Sequence, residues 1–173
     1  MDLTEFILHN GASPPKAPEL TEAQFATQLY HSLREKGWIV FEEEWDSTGK
    51  NRIDAIITRP DVGIYIGIEL KVPNHLDEET RALRQLIDYS KLKFNYPPKL
   101  YAMLTPTRRN ETTIRFFWRW GFGVTNYKND EIVFVNGDQK NTIYFERPEK
   151  SPPWNHNTLK QTAEIVTRME KYR

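Results

Sequence analysis

The stretch RIDAIITRPDVGIYIGIELKV, Arg52 to Val72, constrains the fold more than any other part of the chain. Two alternating, isoleucine-rich runs flank Pro60-Asp61-Val62-Gly63, where proline and glycine stand in positions that favour a turn. Centring the turn there sets Arg59 opposite Ile64 and makes every opposed pair of residue numbers sum to 123. One face of the hairpin then holds Ile53, Ala55, Ile57, Ile64, Ile66, Ile68, Leu70 and Val72, all apolar. A slip of one residue would bury charge and expose isoleucine, so the pattern specifies the register.

The same register sets Asp54 opposite Glu69 on the other face. Such cross-strand neighbours have Cβ atoms about 4.5–5.5 Å apart. Lys71 lies two residues past Glu69 and points the same way. Asp61 does not join them, because eight residues of strand, roughly 26 Å at about 3.3 Å each, separate it from Glu69. Two adjacent carboxylates in a partly buried place repel, and one takes a proton unless a cation lies between them. Oxygen-only ligands suit Mg2+ or Mn2+. A lysine beside them can neutralise charge on a phosphate oxygen or orient an attacking water. The constellation therefore points to phosphodiester hydrolysis. A cross-strand salt bridge on a solvated sheet face explains the same three residues, and that alternative stays open on them alone.

The rest of the chain reads as one domain of mixed type. Its 173 residues suit a single core. Residues 1–19 form a short arm and a stiff connector, GASPPKAP, and residues 20–150 the domain. Thr21 and Gln24 form a capping box ahead of a helix with an apolar stripe at Phe25, Leu29 and Leu33, closed by Gly37. Strands follow at WIVFEEEW and along the hairpin. A second helix covers HLDEETRALRQLIDYSKLKF, and KLYAMLTP is a strand. NETTIRFFWRW fits a helix between Asn110 and Gly121, though its alternation also allows a strand. GFGVTNY, EIVFVN and TIYFER complete the strands, with a turn at Asn136-Gly137. Residues 151–173 carry an amphipathic helix with Leu159, Ala163, Val166 and Met169 on one face, for packing on the domain or at a homodimer seam. The expected fold is α/β: a mixed central sheet flanked by helices, with additional C-terminal strands and a terminal helix.

Composition narrows the chemistry. Without cysteine there is no disulfide, thiolate metal site or cysteine nucleophile. Net charge is zero, which argues against a protein that coats nucleic acid non-specifically but allows a local basic groove. No apolar run approaches the length that spans a membrane, and MDLTEFILHN lacks the regions of a signal peptide, so a cytoplasmic location is expected.

IDAII with Asp54 and IELKV with Glu69 and Lys71 resemble the PD-(D/E)xK nuclease superfamily. Glu22 on the first helix resembles the acid that many members carry there. Gln85 and Tyr89 in RQLIDYS resemble the Gln-x-x-x-Tyr signature of RecB-like and lambda-exonuclease-like branches. WGFGVTNY is similar to a late glycine-containing strand of these proteins, so the likeness covers about Thr21 to Arg147. Ile53 stands where the name-giving pattern has proline. The resemblance implies a restriction-endonuclease-like fold built on a four-stranded mixed sheet with extra strands. It also implies a Mg2+-dependent nuclease. Asp54 and Glu69 would bind metal with the Leu70 carbonyl, Glu22 would hold a second metal or an outer water, and Lys71 would position or activate the nucleophilic water. An endonuclease is expected from the small size, and an end-processing exonuclease from Gln85 and Tyr89. A non-catalytic nucleic-acid-binding or accessory protein on the same fold remains the other class.

Arg108, Arg109, Arg115 and Arg119, interleaved with Trp118 and Trp120, are candidates for holding DNA phosphates. The tryptophans are better explained as core. Glu42, Glu43 and Glu44 alternate along the first strand, so at least one can approach the site while others guard an edge. His75 is within reach of a phosphate, though a loop histidine is commonly just surface.

Overall fold

The structure is a computed structural model and describes residues 20–72, 76–106, 111–125 and 130–146. The N-terminal arm, His75, Arg108, Arg109, Asn110 and the C-terminal helix lie outside the described residues.

Helix α1 (Glu22–Glu35) starts at the Thr21–Gln24 capping box and ends ahead of Gly37, whose φ of 84° suits a C′ glycine. Strands β1 (Ile39–Trp45), β2 (Arg52–Thr58) and β3 (Ile66–Leu70) form an antiparallel meander. Helix α2 (Leu76–Tyr89) crosses over to β4 (Leu100–Leu104), which lies parallel to β3. Helix α3 (Glu111–Arg119) crosses to β5 (Gly123–Thr125), parallel to β4. Each parallel step needs such a crossover, whereas β6 (Glu131–Asn136) and β7 (Gln139–Tyr144) follow as a hairpin. Among the described residues the product is an α/β fold, a seven-stranded mixed sheet in chain order β1 to β7 flanked by three helices.

The hairpin forms in the expected register, with Ala55 paired to Ile68, Ile56 to Gly67 and Ile57 to Ile66. Ala55, Ile57, Ile66, Ile68 and Leu70 pack beneath Phe25, Leu29 and Leu33 of α1, and Ile64 and Val72 join at the margin. Ile53 departs from this face: it packs with Ile56, Tyr101 and Met103 on the side of α2 and α3. The physical cause lies in the β1–β2 ladder, which pairs Glu42 with Ala55 and Glu44 with Ile53 but passes over Glu43 and Asp54. Glu43 takes a φ of 51°, and the strict alternation does not carry across that break. The second face is therefore covered as well as the first, and the carboxylates do not lie on a solvated sheet.

Other boundaries shift for local reasons. β3 begins at Ile66 because the Ile64 carbonyl accepts from Thr58 Oγ1 and the Tyr65 carbonyl from the Lys99 amide. α2 ends at Tyr89 and does not run on to Phe94, which instead bridges to Asp46. β7 begins at Gln139, since Asn136 pairs with Gln139 across the tight turn at Gly137. Asp46 anchors the DSTGKN turn by accepting from the Lys50 and Asn51 amides and from Thr48 and Asn51 side chains, which hold its carboxyl down to about 2.

The two ends of the sheet meet over the α1 side. Trp38, just before β1, donates from Nε1 to the Phe145 carbonyl at 2.9 Å. Arg59, just after β2, is buried, lies 4.5 Å from the Trp38 ring centre, and donates to the carbonyls of Tyr144 and Phe145. Asp61 supplies its counter-charge at 2.5 Å, so the literal Pro-Asp serves the turn and this clamp.

Gly67 lies under its β4 neighbour Tyr101: a Cβ there would meet the ring at 2.5 Å and Ile53 Cδ1 at 2.9 Å. Gly67→Ala is expected to destabilise the fold by about 1–3 kcal/mol through overpacking, measured by urea denaturation. A variant as stable as the wild type would show that the Tyr101–Ile53 contact is slack.

Candidate active site

Pairing between β2 and β3 stops at Ala55–Ile68, while β3 continues beside β4 through Glu69 and Leu70. Backbone groups released where strands part need other partners. The Leu70 amide donates to Asp54 Oδ2 at 2.7 Å. Tyr30 of α1 donates its hydroxyl to the Asp54 carbonyl at 3.1 Å. Tyr89 of α2 donates to the Arg52 carbonyl at 2.9 Å. Asp54 thus stands where the ladder opens toward both neighbours, with its own carbonyl held by Tyr30 and that of Arg52, two residues before it, by Tyr89.

Glu69 and Lys71 complete the centre. Glu69 is 1% exposed, and its Oε1 accepts from Lys71 Nζ at 2.7 Å. Its other oxygen, Oε2, is buried and has no hydrogen-bond partner among the described residues. Burial first, then the Asp54 charge, pushes the Glu69 carboxyl up to about 7 against the pull of Lys71. Asp54 is also raised by burial, opposed by the Leu70 amide, Lys71 and the contact with Glu69. Burial lowers the Lys71 ammonium, but Glu69, Glu22 and Asp54 together outweigh it and raise its pKa. Two carboxyls and one ammonium therefore act on one another as a single electrostatic unit.

Gln85 and Tyr89 reach this centre from α2. Gln85 Nε2 is 3.4 Å from the Tyr89 hydroxyl, and Gln85 Oε1 is buried without a partner among the described residues. Burial, then Glu69 and Asp54, raise the Tyr89 pKa. Glu22 is exposed in the first turn of α1, off the buried stripe, yet it feels the charges of Lys71 and Asp54 and of Glu78 and Arg81 on α2. It faces the centre across a cleft of ≈ 570 Å³ between α1 and the β1–β2 edge that reaches Asp54 and Leu70.

Other candidates fall elsewhere. Arg115 pairs with Glu111 at 2.5 Å, and Arg119 is exposed, both on α3, which packs on β5 and β6. Neither is brought to the carboxylates. Trp118 is core, donating from Nε1 to the Val133 carbonyl, and Trp120 packs at the same cluster. Glu42 and Glu43 line the cleft but hold arginines, Arg34 at 2.7 Å and Arg52 at 3.1 Å. Tyr30 was not singled out by sequence. Its signal was position, next to Leu29 and three residues before Leu33, on the inward face of α1.

The donor set fits a hard cation. A buried carboxylate oxygen lacks a donor among the described residues, and both carboxyls resist ionisation, chiefly because they are buried and for Glu69 also because Asp54 is close. Among the described residues no group of three or more His, Asp or Glu side chains is spaced to hold a metal, so a cation here would draw on this pair and on backbone or water oxygens. No protein-family model, curated protein or solved structure matches the chain.

Glu69 binds its proton more tightly folded than unfolded, where its value is 4.5. Its contribution to stability is full below 4.5 and lost as pH rises through about 7. In EDTA the wild type is expected to lose on the order of 3 kcal/mol across that window, at about 1.4 kcal/mol per pH unit. Glu69→Gln should flatten the profile and be the more stable protein at pH 8, read from urea melts at four pH values. Parallel profiles would contradict the raised pKa.

Proposed function

We propose that the protein is a Mg2+- or Mn2+-dependent nuclease of PD-(D/E)xK type, on a restriction-endonuclease-like fold, that hydrolyses phosphodiester bonds in DNA inside the cell. The observation that carries this reading is the buried oxygen of Glu69, beside Asp54 and Lys71, that finds no partner among the described residues. A purely structural ion pair does not need it: burying two carboxyls against one lysine disfavours folding, and an apolar trio would pack more stably. Such an arrangement is the kind that a function retains.

Asp54, Glu69 and the Leu70 carbonyl would hold the cation, with Glu22 placed for a second ion or an outer water. The bound ion supplies Lewis acidity toward the phosphate and a water of lowered pKa. The chain's own residues do the rest. Lys71 pulls Glu69 toward its ionised form against burial and Asp54, and sets an ammonium beside the position where phosphate charge would develop. The Leu70 amide orients Asp54. Tyr30 and Tyr89 fix the strand that carries Asp54, so its carboxyl needs little reorganisation. Gln85 reaches the Tyr89 hydroxyl from α2, and its buried carbonyl oxygen has no partner among the described residues.

An endonuclease is the first reading. The second is an end-processing exonuclease, favoured by the place of Gln85 and Tyr89 against the carboxylates. Incubation with circular, linear and branched DNA in Mg2+ or Mn2+ separates them, since only an endonuclease opens the circle. Lys71→Ala and Glu69→Ala should reduce cleavage by at least about a hundredfold while the circular dichroism spectrum persists. Equal cutting by Glu69→Ala contradicts the assignment, and a folded wild type that cuts no DNA favours a binding protein on this fold.

A further inference from the structure

The cleft between α1 and the β1–β2 edge has walls that the hydrolytic site does not use. On the helix side, Ala23, Ala26 and Thr27 present little bulk. Two arginines, one from each wall, are each held by a β1 glutamate: Arg34 at the end of α1 with Glu42, and Arg52 of β2 with Glu43. Both pairs are open to solvent, with side chains between 45% and 66% exposed, and such pairs contribute little to stability. They hold the guanidiniums in place without committing them. Beside Arg52, across the strand pair, the Trp45 ring is 52% exposed with the Arg52 guanidinium 5.8 Å from its centre.

We propose that this cleft is the track for a single strand of DNA, with Arg52 and Arg34 exchanging glutamate for phosphate and Trp45 stacking a base at the rim. The proposal rests on the nuclease reading, because the track ends at Asp54. Two observations commit it to one strand. The volume, ≈ 570 Å³, is that of a small-ligand pocket, with room for a nucleotide or two and none for a duplex. An exposed indole next to a guanidinium is the pairing that single strands use, a stacking platform joined to a backbone contact. In a duplex the bases are already stacked on one another and leave Trp45 idle.

The electrostatics make the proposal sharp. Glu22, Glu42, Glu43 and Asp54 outnumber Arg34 and Arg52 in the lining, so the cleft as it stands resists a polyanion. Binding requires the two pairs to open, and the glutamates compete with the strand. Neutralising a glutamate should tighten binding, whereas a cleft built only for packing would be indifferent.

The test is fluorescence anisotropy of the full chain in EDTA, where hydrolysis is silent, with a labelled twelve-nucleotide single strand and a blunt duplex of the same sequence. The single strand is expected to bind at least about tenfold more tightly than the duplex. Trp45→Ala should weaken it about tenfold. Arg52→Gln should weaken it and remove about 0.7 from the slope of log affinity against log salt. Glu43→Gln should tighten it. Equal binding of the duplex, wild-type affinity in both Arg52→Gln and Trp45→Ala, or no gain in Glu43→Gln overturns the proposal. Metal-dependent cutting that survives such a result leaves the nuclease reading standing. Strand binding with this dependence in a protein that never cuts overturns the nuclease reading alone.

Discussion

Asp54 is held at the point where two strands part, and much of the molecule bears on keeping it there. Past Ala55–Ile68 the hairpin no longer pairs, yet Leu70 still donates its amide, now to the Asp54 carboxylate and not to a strand carbonyl. That one contact bridges β2 and β3 and sets the carboxyl beside Glu69. The Arg52 and Asp54 carbonyls are taken by Tyr89 and Tyr30. One helix from each layer is thereby tied to the same three residues of strand. Moving either helix would move the carboxylate.

The surrounding fold supplies the rigidity this needs. Two apolar clusters sandwich the sheet, so the corner lies between covered faces. Arg59, Trp38 and Phe145 draw the first strands and the last together and close the α1 side. Within that frame a buried glutamate is left with one oxygen unmatched among the described residues, and burial raises its pKa to about 7. The apolar layers that make the corner firm also make its charge costly.

The hairpin register was legible because strand alternation has a period of two and tolerates no slip. From it followed the neighbourhood of Asp54, Glu69 and Lys71 and the exclusion of Asp61. Gln85 and Tyr89 were legible as one helical face. Ile53 was not, because alternation fails where the β1–β2 ladder passes over Glu43 and Asp54, and a backbone at positive φ in a glutamate leaves no mark in composition. Tyr30 looked like core because its ring is core; only its hydroxyl reaches β2. The segment around Phe117 satisfied helical and strand periods alike, and contact with β5 and β6 decides for a helix. Arg59 read as a hairpin end, since its partners lie more than 80 residues on in sequence, at Tyr144 and Phe145.

The central claim is that Asp54 and Glu69 form a site short of positive charge and built for a divalent ion. Calorimetric titration of the purified protein with Mn2+ at pH 6.5 measures this directly. A saturable heat that Asp54→Asn abolishes, with proton release as Glu69 gives up its hydrogen, is the result expected. Absence of binding in the wild type, or binding unchanged in Asp54→Asn, would contradict the account and leave the trio as a buried ion pair.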